Sequence, residues 1–314
     1  MKTFLFLIVL TQLLLSREIT PTFKLKSMGI VSDFVIDKHF IYIANSEGSV
    51  DIFDLRTQKL VDQIFLNLIT SQMNELLPAK ILSVDYLDGK ILIVSIGEKA
   101  FRNVWVYEKH ELKQIMDESA KLTIKEARFI NTNKILLGTF ASEIILHDNK
   151  EEYNLYKRHV SQSTLGDIVL SEDKKRVVMS DESGEIQLID VESSKTLKIF
   201  NSQNVDNVYH VAFKKGVIVT AGQDRRVAVY REGYNDYHIK SDFLVYCVGL
   251  SPSAKTGVYS SGEESDLQLF DIKSRRKLDT LVGHKGIVTQ IKFINEKELF
   301  SSARDNFVYF WRLD

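Results

Sequence analysis

The residues of this 314-residue chain that could do chemistry are seven histidines, one cysteine and scattered carboxylates. The histidines stand at positions 39, 110, 147, 159, 210, 238 and 284. No two fall at a metal-ligand spacing such as His-x3-His. His147-Asp148 and His210 read as fragments of an acid–base arrangement, but neither comes with a local nucleophile motif. There is no GxSxG elbow, no phosphate-binding P-loop and no dinucleotide glycine pattern. Cys247 is the single cysteine, so no intrachain disulfide can form. It sits in the strand-like run Leu244–Leu250, where a small buried hydrophobe is the expected role. No catalytic, metal or cofactor site is expected from these residues.

The elements that would position side chains must come from an ordinary globular composition. Hydrophobic residues make up 44% and charged residues 26% of the chain, enough to bury a large core. The formal net charge is -1, which excludes a general electrostatic binder of nucleic acid or anionic membrane. Basic runs such as Lys273–Lys277 and Lys174–Arg176 lie in turns beside acidic residues and lack interleaved aromatics. They read as solvated loop charge.

The first sixteen residues differ from the rest. Lys2 precedes an apolar run from Thr3 to Ser16 that is too short to span a bilayer comfortably, and Arg17-Glu18 ends it. This reads as a secretory signal cleaved near Ser16, although Leu14 stands where a small residue is usual. A retained N-terminal anchor is the alternative. Either places the remaining residues, 17–314, outside the cytoplasm, with no integral span once the signal is cleaved. An export signal without disulfides points to a bacterial periplasm.

Beyond residue 17 the sequence repeats. A short apolar–any–apolar run closing on an aromatic or large residue recurs with its last position at 53, 107, 147, 189, 230, 270 and 311. The intervals are 54, 40, 42, 41, 40 and 41 residues, the length of a four-stranded unit. His147 occupies one of these closing positions, so a packed side chain is expected there. Before each closing run comes a β-rich run ending in small or polar residues, as in Ile41–Ser46 and Val217–Gly222.

The last unit is the most complete: Gly283-His284, Ser301, Asp305 and Trp311. It resembles a WD40 repeat, and the spacing of the others resembles a WD40 array. The resemblance implies an all-β, seven-bladed propeller forming a single domain over residues 17–314. It further implies a structural hydrogen-bonded quartet of His284, Ser301, Asp305 and Trp311. Only three residues follow Trp311, too few for a fourth strand in the last blade. Residues 19–26 alternate as a strand should and are expected to supply it, closing the ring.

The repeat breaks at its first interval, about 14 residues too long. Leu66, Ile69, Met73, Leu76 and Leu77 recur at helical spacing and Pro78 ends the pattern, which predicts a short helix. That helix either packs on its own blade or presents an apolar patch to a partner. The turn Gly97–Asn103 is also long, and Phe101 and Arg102 are types enriched at interfaces. Trp105 follows, with packing under the insertion as its simplest role.

These readings describe a platform for protein partners, with no enzyme activity and no nucleic acid. The combination of export and a WD40-like propeller resembles the L accessory protein of periplasmic nitrate reductase systems. That would imply a part in maturation of, or electron delivery to, a periplasmic redox enzyme. A scaffold of another envelope complex is one alternative. A propeller enzyme of lactonase or quinone dehydrogenase type is another. It would need His210, Asp167 and Asp33 to converge on the channel.

Overall fold

The computed structural model describes residues 16–71 and 73–313. The signal expected at residues 1–16 lies outside the described residues except for Ser16. Seven sheets stand around a central axis, their strands antiparallel and in chain order from the inside outward except where the N-terminal segment adds to blades 6 and 7. In blade 1 the strands run Val31–Ile36, Phe40–Asn45, Ser49–Asp54 and Lys59–Phe65. Blades 2 to 6 begin with inner strands Ile81–Leu87, Ile124–Phe129, Leu165–Leu170, Val208–Lys214 and Val248–Leu250. Blade 7 begins at Val288–Phe293 and ends its own chain segment with Phe307–Arg312.

In blades 1 to 3 the second strand reads as an unbroken apolar run because both its faces are covered. Ile41–Ala44, Ile91–Val94 and Ile135–Leu137 are all buried. Each apolar cluster joins two neighbouring sheets. Tyr42, Val50 and Ile52 of blade 1 meet Ile81, Val84 and Ile91 of blade 2. Leu25, Val308 and Phe310 of blade 7 meet Phe34 and Ile43 of blade 1, which closes the circle hydrophobically.

Hydrogen bonds close it too, as expected. Phe23–Lys26 pairs antiparallel with Phe307–Phe310 as the outer strand of blade 7. The expected strand over residues 19–26 is interrupted, however. Glu18–Ile19 pairs parallel with Thr280–Leu281 on the outer edge of blade 6, and Pro21, which has no N–H for a ladder, marks the crossing.

The helix expected within residues 66–79 does not form. Ile69–Thr70 and Leu76–Leu77 make a two-stranded hairpin instead. Ser71 caps its turn, its hydroxyl accepting from Met73 N–H at 3.2 Å and Glu75 N–H at 3.1 Å. Asn74 takes a left-handed φ of 59°. Short polar side chains that bind their own backbone compete with helix formation, and a run this short has little to offset the cost of nucleation.

A bulge near the start of the inner strands decides what faces the axis. Register shifts fall between Val31 and Asp33, Ile124 and Glu126, Leu165 and Asp167, Val208 and His210, and Val288 and Gln290. An extra residue at such a point re-aims the side chain that follows it. The residues that follow are Asp33, Glu126, Asp167, His210 and Gln290, and all five line the central cavity.

Candidate interaction face and central channel

Loops that enter the inner strands, and those joining second to third strands, share one rim. On this rim Ile30 N–H donates to Ser46 Oγ and Ser46 N–H to Ile30 O, each at 3.0 Å. Leu66 N–H donates to Gly48 O at 2.9 Å. Gly48 has a φ of 75°, and a Cβ there would stand 3.2 Å from the backbone of Ala79. The loop at 27–30, the turn at 46–48 and the base of the hairpin are thus fastened side by side.

Beneath them a buried carboxylate organises the loop. Asp51 Oδ2 accepts from Ser27 Oγ at 2.7 Å and Met28 N–H at 2.8 Å; its Oδ1 accepts from Ser49 Oγ at 2.9 Å and Gln63 Nε2 at 2.8 Å. These bonds fix the backbone from which Met28 turns outward. Met28, Ile30, Phe65, Leu68, Met73, Leu76 and Leu77 are exposed, Met73 at 83% and Leu76 at 67%. Leu66 is buried and Ile69 packs against the blade 1–blade 2 core, so the hairpin is rooted at its base and bare at its tip. Trp105 packs against that same core and donates to Ser95 Oγ at 3.0 Å.

The structure therefore divides the residues singled out in sequence. Met73, Leu76 and Leu77 are on the surface; Leu66 and Ile69 hold the hairpin down. Phe101 and Arg102 are half-buried, with the Arg102 guanidinium 5.9 Å from the ring of Phe140. Met28, Ile30, Phe65 and Leu68 carry no mark in the sequence, because nothing in the repeat shows which apolar residues the loops leave uncovered.

In blade 7, His284 Nε2 and Ser301 Oγ lie 2.7 Å apart, and Trp311 Nε1 donates to the same oxygen at 2.7 Å. Asp305 stands outside this group, a correction to the quartet. Its Oδ2 accepts from Tyr309 OH at 2.9 Å and its Oδ1 from Phe307 N–H at 2.9 Å. His284 Nδ1 is buried without a partner, and burial, then Lys24, pushes the imidazole down to about 3. Tyr309, whose ring centroid is 4.1 Å from that of His284, takes the carboxylate that a quartet would give to the imidazole. His147 is buried at its closing position, with Nδ1 2.9 Å from Asn154 Oδ1.

The channel encloses about 1070 Å³. Asp33, Asp167 and His210 do reach it, together with Asp85, Glu126, Lys125, Arg128 and Lys292. Most of these groups are engaged in joining blades. Asp33 accepts from Val84 N–H at 2.9 Å, Ser83 from Ala127 N–H at 3.4 Å, Asp167 from Val211 N–H at 2.8 Å and Gln290 from Phe34 N–H at 3.0 Å. Each acceptor thus binds an amide of the next blade. Asp85 adds another such link to Phe129 N–H at 2.8 Å.

Arg128 bridges the carboxylates, 3.3 Å from Asp33 and 2.8 Å from Glu126. Burial opposes the charge of Asp33, but Arg128 and Lys292 outweigh it and hold that carboxyl low. Glu126 goes the other way: burial, then the neighbouring Asp167, pushes it up to about 8. Asp167 is also raised, by burial. Burial pushes His210, 3.7 Å from Asp167, down to about 4, so it is neutral at physiological pH. No group of three or more His, Cys, Asp or Glu side chains suited to a metal occurs among the described residues. The network's visible work is to stitch the ring.

Stability should depend on pH through this site. Glu126 has a folded value near 8 against an ordinary 4.5, so its contribution is fully present below about 4.5 and is lost as pH rises through about 8. His210, depressed to about 4 from 6.5, contributes above 6.5 and loses that contribution as pH falls toward 4. Urea midpoints between pH 6.5 and 9 should therefore fall with rising pH in the wild type. In Glu126→Gln that slope should flatten. An unchanged slope would show that Glu126 does not titrate there.

No family model matches the chain. The β-propeller domain of Cps50 (Swd1) from Myceliophteria thermophila superposes with a TM-score of 0.74, covering 94% of this chain and 99% of that one, at 11% identity. The fold is a seven-bladed β-propeller of WD40 type. In sequence, the chain is 21% identical over 145 residues to the E3 ubiquitin-protein ligase COP1 of Arabidopsis thaliana. That match covers 44% of this chain and only 21% of the ligase, so the matched segment spans about a fifth of that protein's length. No helix among the described residues is long and apolar enough to cross a membrane.

Proposed function

We propose that this propeller is a non-enzymatic docking platform that binds a protein partner through the rim of blades 1 and 2. The observation that carries the reading is the bare apolar tip of the hairpin, Leu68, Met73, Leu76 and Leu77, beside Met28 and Ile30. An isolated two-stranded hairpin is marginal in water, and a clustered apolar surface that the chain leaves uncovered marks an interaction site. A scaffold that orders its loops and buries its polar groups in ring closure suits such a role.

The narrower reading is that the platform works in the periplasm and assists a redox enzyme, as the L accessory protein of nitrate reductase systems does. Its support is the export-like segment at residues 1–16 and the family resemblance. The test is co-purification with the tagged periplasmic nitrate reductase, using the wild type and a variant with the exposed Leu68, Met73, Leu76 and Leu77 changed to serine. The wild type should retain the reductase, and the variant should lose it by about ten-fold or more, the scale of removing a few buried apolar anchors. Thermal unfolding should change little, because the hairpin tip packs on nothing. Binding by neither protein would reject the reductase as partner; equal binding by both would reject the hairpin as the site.

A further inference from the structure

Among the described residues, blade 6 alone carries a fifth strand, the parallel pairing of Glu18–Ile19 with Thr280–Leu281. Two residues earlier the fold already holds the chain. Thr280 N–H donates to Arg17 O at 2.9 Å, and Ser16 Oγ donates to Leu278 O at 2.9 Å. There the backbone N–H of Arg17 points at a carboxylate, donating to Asp279 Oδ1 at 3.1 Å, with the Arg17 guanidinium 3.5 Å from Oδ2. An amide nitrogen makes one neutral-donor bond to that carboxylate. An ammonium in the same place would make a charge-assisted bond, shorter and about twice as strong.

We infer that Arg17 is the first residue of the processed protein and that its α-ammonium pairs with Asp279. This rests on the proposal that residues 1–16 are removed on export. Hydrolysis of the Ser16–Arg17 bond adds the hydroxyl of water to the Ser16 carbonyl carbon and leaves the protons on the Arg17 nitrogen, with no redox change. Ser16 is small, follows the apolar run and lies exposed at the blade edge. Its departure costs its own two hydrogen bonds, to Leu278 and Thr280, while the Asp279 carboxylate keeps its donor and gains an opposite charge. The charged groups placed at the new terminus are Asp279 and the Arg17 guanidinium that shares its carboxylate. Asp279 is 36% exposed, so the pair sets the reactivity of the terminus more than the stability of the blade.

The exported protein, purified from the periplasm, supplies the test. Its intact mass should correspond to a chain starting at Arg17. Its α-amine should react with an acylating reagent at neutral pH roughly three-fold more slowly than that of Asp279→Asn, half a unit of proton affinity. A chain that keeps residues 1–16 would overturn the removal of that segment and this inference together, leaving a retained anchor in its place. Cleavage at another bond, or at Arg17 with equal acylation rates in both proteins, would overturn the inference and leave the export reading standing.

Discussion

Arg128→Met should cost about 3–5 kcal/mol in urea unfolding, the largest single loss in the molecule outside its apolar cores. Arg128 holds Asp33 and Glu126 at once, and its side chain is only 17% exposed against 6% and 13% for theirs. Its removal leaves one carboxylate without its main counter-charge and another already raised by burial. The same guanidinium donates to Ser83 Oγ at 2.7 Å, so the link between blades 1, 2 and 3 loosens with it. Arg312→Met is the control. Arg312 pairs with Glu298 at 2.9 Å but is 59% exposed, and a surface pair of that kind contributes about 0–1 kcal/mol. Comparable losses in the two variants would show that the channel network is solvated and structurally idle.

Trp311→Ala should destabilise the closing blade by about 3–5 kcal/mol, through the cavity left by a fully buried indole and the loss of its bond to Ser301. Asp305→Asn should cost less, about 1 kcal/mol, since an asparagine oxygen can still accept from Tyr309 OH. This ordering separates the observed three-membered group from a four-membered one. In a quartet, Asp305 would orient the imidazole, and its loss would rival that of the tryptophan.

The parts of this fold that could be read in sequence are those whose signals are local and repeated. Runs such as Ile41–Ala44 announce a strand covered on both faces, and their spacing counts the blades. The alternating run within residues 19–26 points to a closing strand from the N-terminal segment, because a propeller with an open edge would invite association. What could not be read depends on contacts between units. Leu66, Ile69, Met73, Leu76 and Leu77 fit a helical spacing as well as a hairpin, and only the Ser71 turn decides between them. Glu126, Arg128 and Lys292 read as charges on alternating strands until the bulges turn their positions toward a shared axis. Glu126 lies 41 residues before Asp167, and His210 lies 43 after it, so carrying the repeat through the inner strands would have found the ring. Asp305 was misplaced because Tyr309, four residues on, offers its carboxylate a nearer donor.

Site-specific photo-crosslinking in cells tests the docking claim most directly. One crosslinking side chain would replace Met73 at the hairpin tip, and another would replace Tyr234, also exposed (68%) in a turn of the opposite rim. The account predicts one discrete protein adduct from position 73, no such adduct from position 234, and loss of the adduct when Leu76 and Leu77 are both changed to serine. The same adduct from both positions, or from 234 alone, would contradict it.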